Sequence, residues 1–176
     1  MNVETTAYSC NSPLIVRHAV PADADSISQL IYSVAGGCTI NPCGDGAELF
    51  FSSISTQAIG GYIANADFLY LLGLFGDTLA GVVAVRDARH VFHLFVAPAF
   101  QCQGIGTALA LRAIELSLAA SPSETFTVNS SLLAVPFYAR LGFQPQGPGI
   151  EENGVAFVPM QLATADLDYA LPQPRL

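Results

Sequence analysis

The stretch "FQCQGIGTALALRAIEL", Phe100–Leu116, sets Gly104 and Gly106 at the entrance of an apolar run whose only charged residues are Arg112 and Glu115. Glycines at a helix entrance let successive backbone N–H groups converge where the positive end of the helix dipole favours an anion. A β-carbon at either position would hold a phosphate away from those amides. The run after Gly104 is apolar almost all round, so the helix is expected to pack against a sheet, from about Ile105 to Ala119.

Rival readings of the same glycines fare differently. A nucleotide-binding loop of the Walker type needs a lysine after its last glycine, and the chain contains none. A dinucleotide fingerprint needs a third glycine or an alanine where Leu109 stands. The plain alternative is a tight strand-to-helix turn that binds nothing. Against it stands the context: "FVAP", Phe95–Pro98, reads as the end of a strand feeding the turn, an arrangement that collects amides into an anion-binding concavity.

Composition narrows the remaining classes. A chain of 176 residues with 52% apolar and 11% charged side chains suits one domain with a generous core. The net charge is −8 and all six basic residues are arginines, which argues against a nucleic-acid groove and against an anionic membrane surface as partners. Cys10, Cys38, Cys43 and Cys102 form no CxxC pair and have no partner at metal-ligand spacing, so four reduced thiols and no metal site are expected. The opening "MNVETTAYSC" has neither the basic nor the apolar region of a signal peptide, and the greasiest run, "FLYLLGLFG", is too short for a membrane span. These features read as a cytoplasmic protein.

Along the chain, "LIVRHAV" (Leu14–Val20) reads as a strand and "PADADSISQLIYSV" as a helix opened by Pro21. "GGCTINPCGDG" is turn chemistry and "AELFFSSISTQAI" a second helix. "DFLYLLGLF" and "LAGVVAVRD" make a hairpin about Gly76-Asp77, followed by the strand "HVFHLFVAP". After the glycine-led helix come a strand in "TFTVNSS", a short helix in "AVPFYARLGF" closed by Gly142, and a hairpin about Asn153-Gly154 of type I′. The expected order is β-α-α-β-β-β-α-β-α-β-β, with an extension over 1–13, one domain over 14–163 and a loose tail over 164–176.

In this order the motifs resemble the GNAT N-acetyltransferase superfamily, and its small bacterial members most. Gln101-Cys102-Gln103-Gly104-Ile105-Gly106 matches the family's Q/R-x-x-G-x-G/A, and Leu94, Val96 and Pro98 stand at its L-x-V-x-P. Asn129 at a strand end, Tyr138 in the next helix and Gly142-Phe143 after it follow at the family's spacing. The resemblance implies an α/β (α+β) domain with a mixed, mostly antiparallel sheet splayed at its middle and flanked by helices. It implies acetyl-CoA as co-substrate and an amine as acceptor, and family members often form homodimers.

Carried onto this chain, the resemblance implies that backbone groups at Leu94, Phe95 and Val96 pair with the pantetheine arm. The amides of Gln101, Cys102, Gln103, Gly104, Ile105, Gly106 and Thr107 would cradle the pyrophosphate, and Asn129 would bond the same arm. Family loops commonly carry a basic residue where this one has Gln101, Cys102 and Gln103, which leaves Arg140 or Arg112 as the candidate partner for the adenosine phosphate.

Tyr138 is the family-matched general acid, because a phenol with a pKa near 10 stays protonated at neutral pH. A core tyrosine beside Phe137 is the alternative. An alkylamine is only about 0.1% neutral at pH 7, so a base helps. His93 and His90 precede the motif, and their odd spacing on a strand allows at most one of them to face a cleft. Glu48 and Asp87 are weaker candidates, and Cys102 as a covalent nucleophile weaker still. The loop from Ala35 to Gly46 would line a compact pocket suited to a small amine. A protein-modifying acetyltransferase and a silent CoA-binding module are the alternatives.

Overall fold

The computed structural model of the protein describes residues 13–41 and 43–167. Eight strands form one sheet: β1 Leu14–His18, β2 Phe68–Phe75, β3 Thr78–Arg86, β4 His90–Val96, β5 Thr125–Ser131, β6 Gln144–Pro145, β7 Ile150–Glu152 and β8 Val155–Ala163. The spatial order is β1-β2-β3-β4-β5-β8-β6, with β7 paired to β8. Every pairing is antiparallel except β4 with β5.

One face of the sheet carries α1 Ala24–Val34, α2 Glu48–Ser53 and α3 Thr56–Ala64; the other carries α4 Ile105–Ala120 and α5 Val135–Arg140. The apolar stripe Ile27, Leu30 and Ile31 of α1 packs with Ile59 of α3 over Tyr70, Leu72, Val82 and Ala84. On the opposite face Leu109, Ala113 and Ile114 of α4 meet Leu71, Val83, Val85 and Phe126. Strand alternation sorts these residues, since successive side chains leave opposite faces of the sheet. Gly73 and Gly81 face each other on β2 and β3, and a β-carbon on Gly81 would come within 2.9 Å of Leu109. Their bare backbones thus seat α4 closely on the sheet, and burial of Leu109 there contributes about 2 kcal/mol.

Two sequence expectations change. The run 47–59 is two helices, because the Ser55 hydroxyl accepts from the Ala58 N–H at 3.3 Å and starts a new helix after Ile54. Leu167, expected in a loose tail, is buried in the core with α4, so the packed chain reaches past Ala163. Most of the expected N-terminal extension and C-terminal tail lie outside the described residues.

The parallel contact of β4 and β5 spans only the pairs His90↔Thr127 and Val91↔Val128. Beyond them the strands part, and the sheet is splayed at its middle. No described helix is long and apolar enough to cross a membrane.

Candidate active site

The opening between β4 and β5 is a cleft of about 590 Å³. Its walls come from four places: Leu94, Phe95 and Val96 on β4; the turn and first residues of α4; Ser131, Leu133 and Ala134 after β5; and Phe137, Tyr138 and Arg140 on α5. Val34, Gly37 and Cys38 close it from the α1 side.

The turn from Gln101 to Thr107 presents backbone to the cleft. Gln101 Nε2 donates to the Val96 carbonyl at 3.0 Å and Gln103 Nε2 to the Ala99 carbonyl at 3.0 Å. Both amide side chains therefore brace the loop. Cys102 and Gly104 adopt left-handed conformations, with φ of 61° and 81°. Alternation of handedness of this kind curls consecutive N–H groups toward one point. Gly104 caps the sixteen-residue α4 without a side chain, so the N–H groups of its first turn have no intrahelical acceptor. Gly106 lies where a β-carbon would meet the Phe137 ring at 3.3 Å, and its absence lets the mouth of α4 close on α5. Arg112 is committed to Glu115 at 2.6 Å on the outside of α4, whereas Arg140 lines the cleft and makes no ion pair among the described residues.

Tyr138 is 5% exposed, its ring in edge contact with Phe137 and Phe143 in the core behind α4 and α5. Its hydroxyl has no hydrogen-bond partner among the described residues, yet it is not sealed off, because the residue lines the cleft. Burial raises its pKa, and the neighbouring Cys38 raises it further. The phenol therefore keeps its proton at neutral pH. The Cys38 thiol is itself raised by burial, so no charge stands beside the phenol from that side.

The loop that brings Cys38 here is strapped to the β7–β8 hairpin. Thr39 bridges Val155, the Ile40 N–H donates to the Gly154 carbonyl at 2.9 Å and the Ala156 N–H to the Cys38 carbonyl at 3.3 Å. The hairpin turns through Asn153 and Gly154 with φ of 48° and 74°, as a type I′ turn requires. Turn chemistry marked this loop in the sequence, but nothing in it marked Cys38 as a neighbour of Tyr138.

The expected site residues do not all meet. Leu94, Phe95, Val96, Gln101, Cys102, Gly104, Ile105, Gly106, Thr107, Tyr138 and Arg140 line one cleft. Gln103, Asn129 and His93 do not: Gln103 is turned back on the loop, and Asn129 is exposed on β5 opposite Pro159.

His93 lies on the α1 side of the sheet, its Nδ1 2.9 Å from the Tyr70 hydroxyl and its ring packed against Tyr62, Phe92 and Phe95. His90 and His93 share a face despite their odd spacing. The β3–β4 register slips between Ala84↔His93 and Val85↔Val91, leaving Phe92 as an extra residue. This β-bulge resets the alternation and places His90 and His93 on one face. Phe95, which lines the cleft, packs its ring edge-on against His93.

Burial depresses the His93 pKa from 6.5 to about 3. The unfolded chain binds that proton near pH 6.5 and the native protein only near 3, so this contribution to stability is complete above pH 6.5 and is lost as pH falls toward 3. Replacement of His93 by Asn is expected to flatten the pH dependence of the urea midpoint across that window. An unchanged slope would show that another group carries it.

A family model described as an acetyltransferase (GNAT) domain matches residues 38–164. The chain belongs to the GNAT family. This GNAT domain is an N-acetyltransferase, and the family uses acetyl-CoA. No curated protein matches it in sequence. Among solved structures, an N-acetyltransferase from Rhodopseudomonas palustris is 18% identical with a TM-score of 0.71, covering 89% of this chain and 99% of its own. An N-acetyltransferase from Thermoplasma acidophilum in complex with coenzyme A is 17% identical with a TM-score of 0.65, covering 86% and 99%. A spermidine N-acetyltransferase from Vibrio cholerae is 17% identical with a TM-score of 0.64, covering 88% and 95%. At these identities the likeness establishes the fold.

Proposed function

We propose that the protein transfers an acetyl group from acetyl-CoA to the primary amine of a small molecule by direct attack, with Tyr138 as general acid. The observation that carries the reading is the Tyr138 hydroxyl, deeply held and without a hydrogen-bond partner among the described residues, in the same cleft as the first-turn amides of α4.

The donor fits the residues present. A pyrophosphate matches the backbone N–H groups at the mouth of α4, from Gly104 to Thr107, in a lining that carries no lysine; the expected Gln101 amide is taken by the Pro98 carbonyl at 3.4 Å, and Arg140 supplies the one cation in the lining among the described residues. The edge of β4 from Leu94 to Val96, unpaired on the β5 side, suits the amides of a pantetheine arm. Acetyl-CoA supplies an activated acetyl thioester. Tyr138 would give its proton to the departing sulfur and regain one from the attacking amine nitrogen, and burial keeps the phenol protonated at rest. The apolar lining excludes water from the reacting end.

Melting in the presence of acetyl-CoA, CoA and NAD tests the donor site. At a hundredfold excess over Kd a ligand adds about 2.7 kcal/mol, or about 5–10 °C for a domain of this size. Shifts with both CoA ligands and none with NAD are expected. No shift with acetyl-CoA would remove the reading.

A further inference from the structure

Which amine the cleft accepts depends on the lining outside the phosphate turn. Val34, Gly37, Cys38, Phe95, Leu133 and Tyr138 form an uncharged wall there. Arg140 is the only charged side chain in the lining among the described residues, and it is a cation.

Carboxylates lie near the strap but do not enter the cleft. Glu48 Oε1 accepts from the Gly46 N–H at 3.1 Å, and Asp45 Oδ2 accepts from Asn41 at 2.9 Å. Glu151 and Glu152 are exposed on β7 and contribute nothing to the lining.

The apolar wall is also fixed and open to solvent at its lip. The two backbone hydrogen bonds from residues 38–40 to the hairpin, which together make the Thr39↔Val155 bridge, hold Cys38 in place. Leu133, 78% exposed, reaches across so that its Cδ1 lies 3.4 Å from where a β-carbon on Gly37 would stand. Leu132 and Ile40 are further exposed apolar side chains on the same two segments.

We propose that the acceptor is a primary monoamine carried on an alkyl or aryl body, and that amines with a second ammonium are rejected. The inference rests on the acetyltransferase reading and deepens it. A second ammonium would lose water against the wall without a carboxylate to replace it. A single amine meets no such penalty, since its nitrogen must be neutral to attack and its body is matched by Leu133, Val34 and Phe95. Desolvation by the same wall disfavours the ammonium form, which supplies part of what a general base would otherwise do. The net charge of −8 still draws the cation in from solution, where the field acts at long range.

The test is initial rates with acetyl-CoA on propylamine through hexylamine, phenethylamine, 1,6-diaminohexane and spermidine, run beside the acetyl-CoA melting shift. The inference expects kcat/KM to rise about threefold to fourfold per added methylene. Hexylamine should exceed 1,6-diaminohexane, which differs chiefly by the distal ammonium, at least tenfold. Leu133→Asp, an exposed change checked by melting, should narrow that ratio by placing a carboxylate at the lip. Equal or faster turnover of 1,6-diaminohexane or spermidine overturns the acceptor class and leaves the acetyltransferase reading standing. A melting shift with no turnover of any amine in the panel does the same. Neither shift nor turnover overturns the donor reading, and the acceptor class with it.

Discussion

Tyr138→Phe is expected to lower kcat about 100-fold, the lower end of what a positioned general acid contributes. Little else should change. The substitution removes one oxygen that bonds to no described residue, and the ring keeps its contacts with Phe137 and Phe143. Stability and the acetyl-CoA melting shift should therefore match the parent protein, and the loss should fall in kcat rather than in donor KM. Because burial lifts the phenol above its usual range, Tyr138 should impose no basic limb on the parent rate below about pH 10. Parent-like turnover by the variant would remove Tyr138 from the chemistry, and a parallel fall in donor affinity would recast it as a binding residue.

The largest structural effect is expected at Gly154→Ala, far from the phosphate turn. Gly154 has φ of 74°, and a β-carbon there would run into the backbone of Gly46 and Ala47, which cannot swing aside as a side chain can. Left-handed strain and overpacking together cost about 3 kcal/mol, which lowers Tm by about 6–12 °C in a domain of this length. Function should divide along the same line. If the strap lifts from the hairpin, Cys38 and Gly37 leave the cleft wall, acceptor KM rises, and the acetyl-CoA melting shift persists because the Gln101–Thr107 turn is built elsewhere. Loss of donor binding in step with acceptor binding would show that the two ends of the cleft are not independent.

How far these features were legible depended on whether a local rule governed them. Gly104 announced the α4 mouth because its left-handed turn favours glycine, Gly106 because a β-carbon there would crowd Phe137, and Asn153-Gly154 announced its hairpin through left-handed backbone as well. The splay is legible only through the family resemblance, since a gap between two strands leaves no periodic mark on either. That His90 and His93 share a face was not legible because alternation assumes an unbroken ladder, and the slip at Phe92 depends on how β3 and β4 pair. The roles of Gln101 and Gln103 escaped notice because their acceptors are backbone carbonyls of Val96 and Ala99, which no sequence pattern specifies. Cys38 stands beside Tyr138 although the two are far apart in the chain, because the bridge between Thr39 and Val155 holds its loop there.

The short meeting of β4 and β5 has a mechanical consequence. A continuous sheet resists bending along its whole width, but here β1 to β4 and β5 to β8 are two plates joined by two residue pairs at one end. The joint is bolted by the Thr127 N–H on the Arg89 carbonyl at 2.9 Å and by His90 Nδ1 with Thr127 Oγ1 at 2.8 Å. Such a construction opens and closes about its joint more cheaply than either plate flexes. A molecule that lodges in the gap and bonds both edges becomes the keystone of the sheet, and the amides of Leu94 and Ser131, at opposite lips of the gap, are where slowed hydrogen exchange should report it.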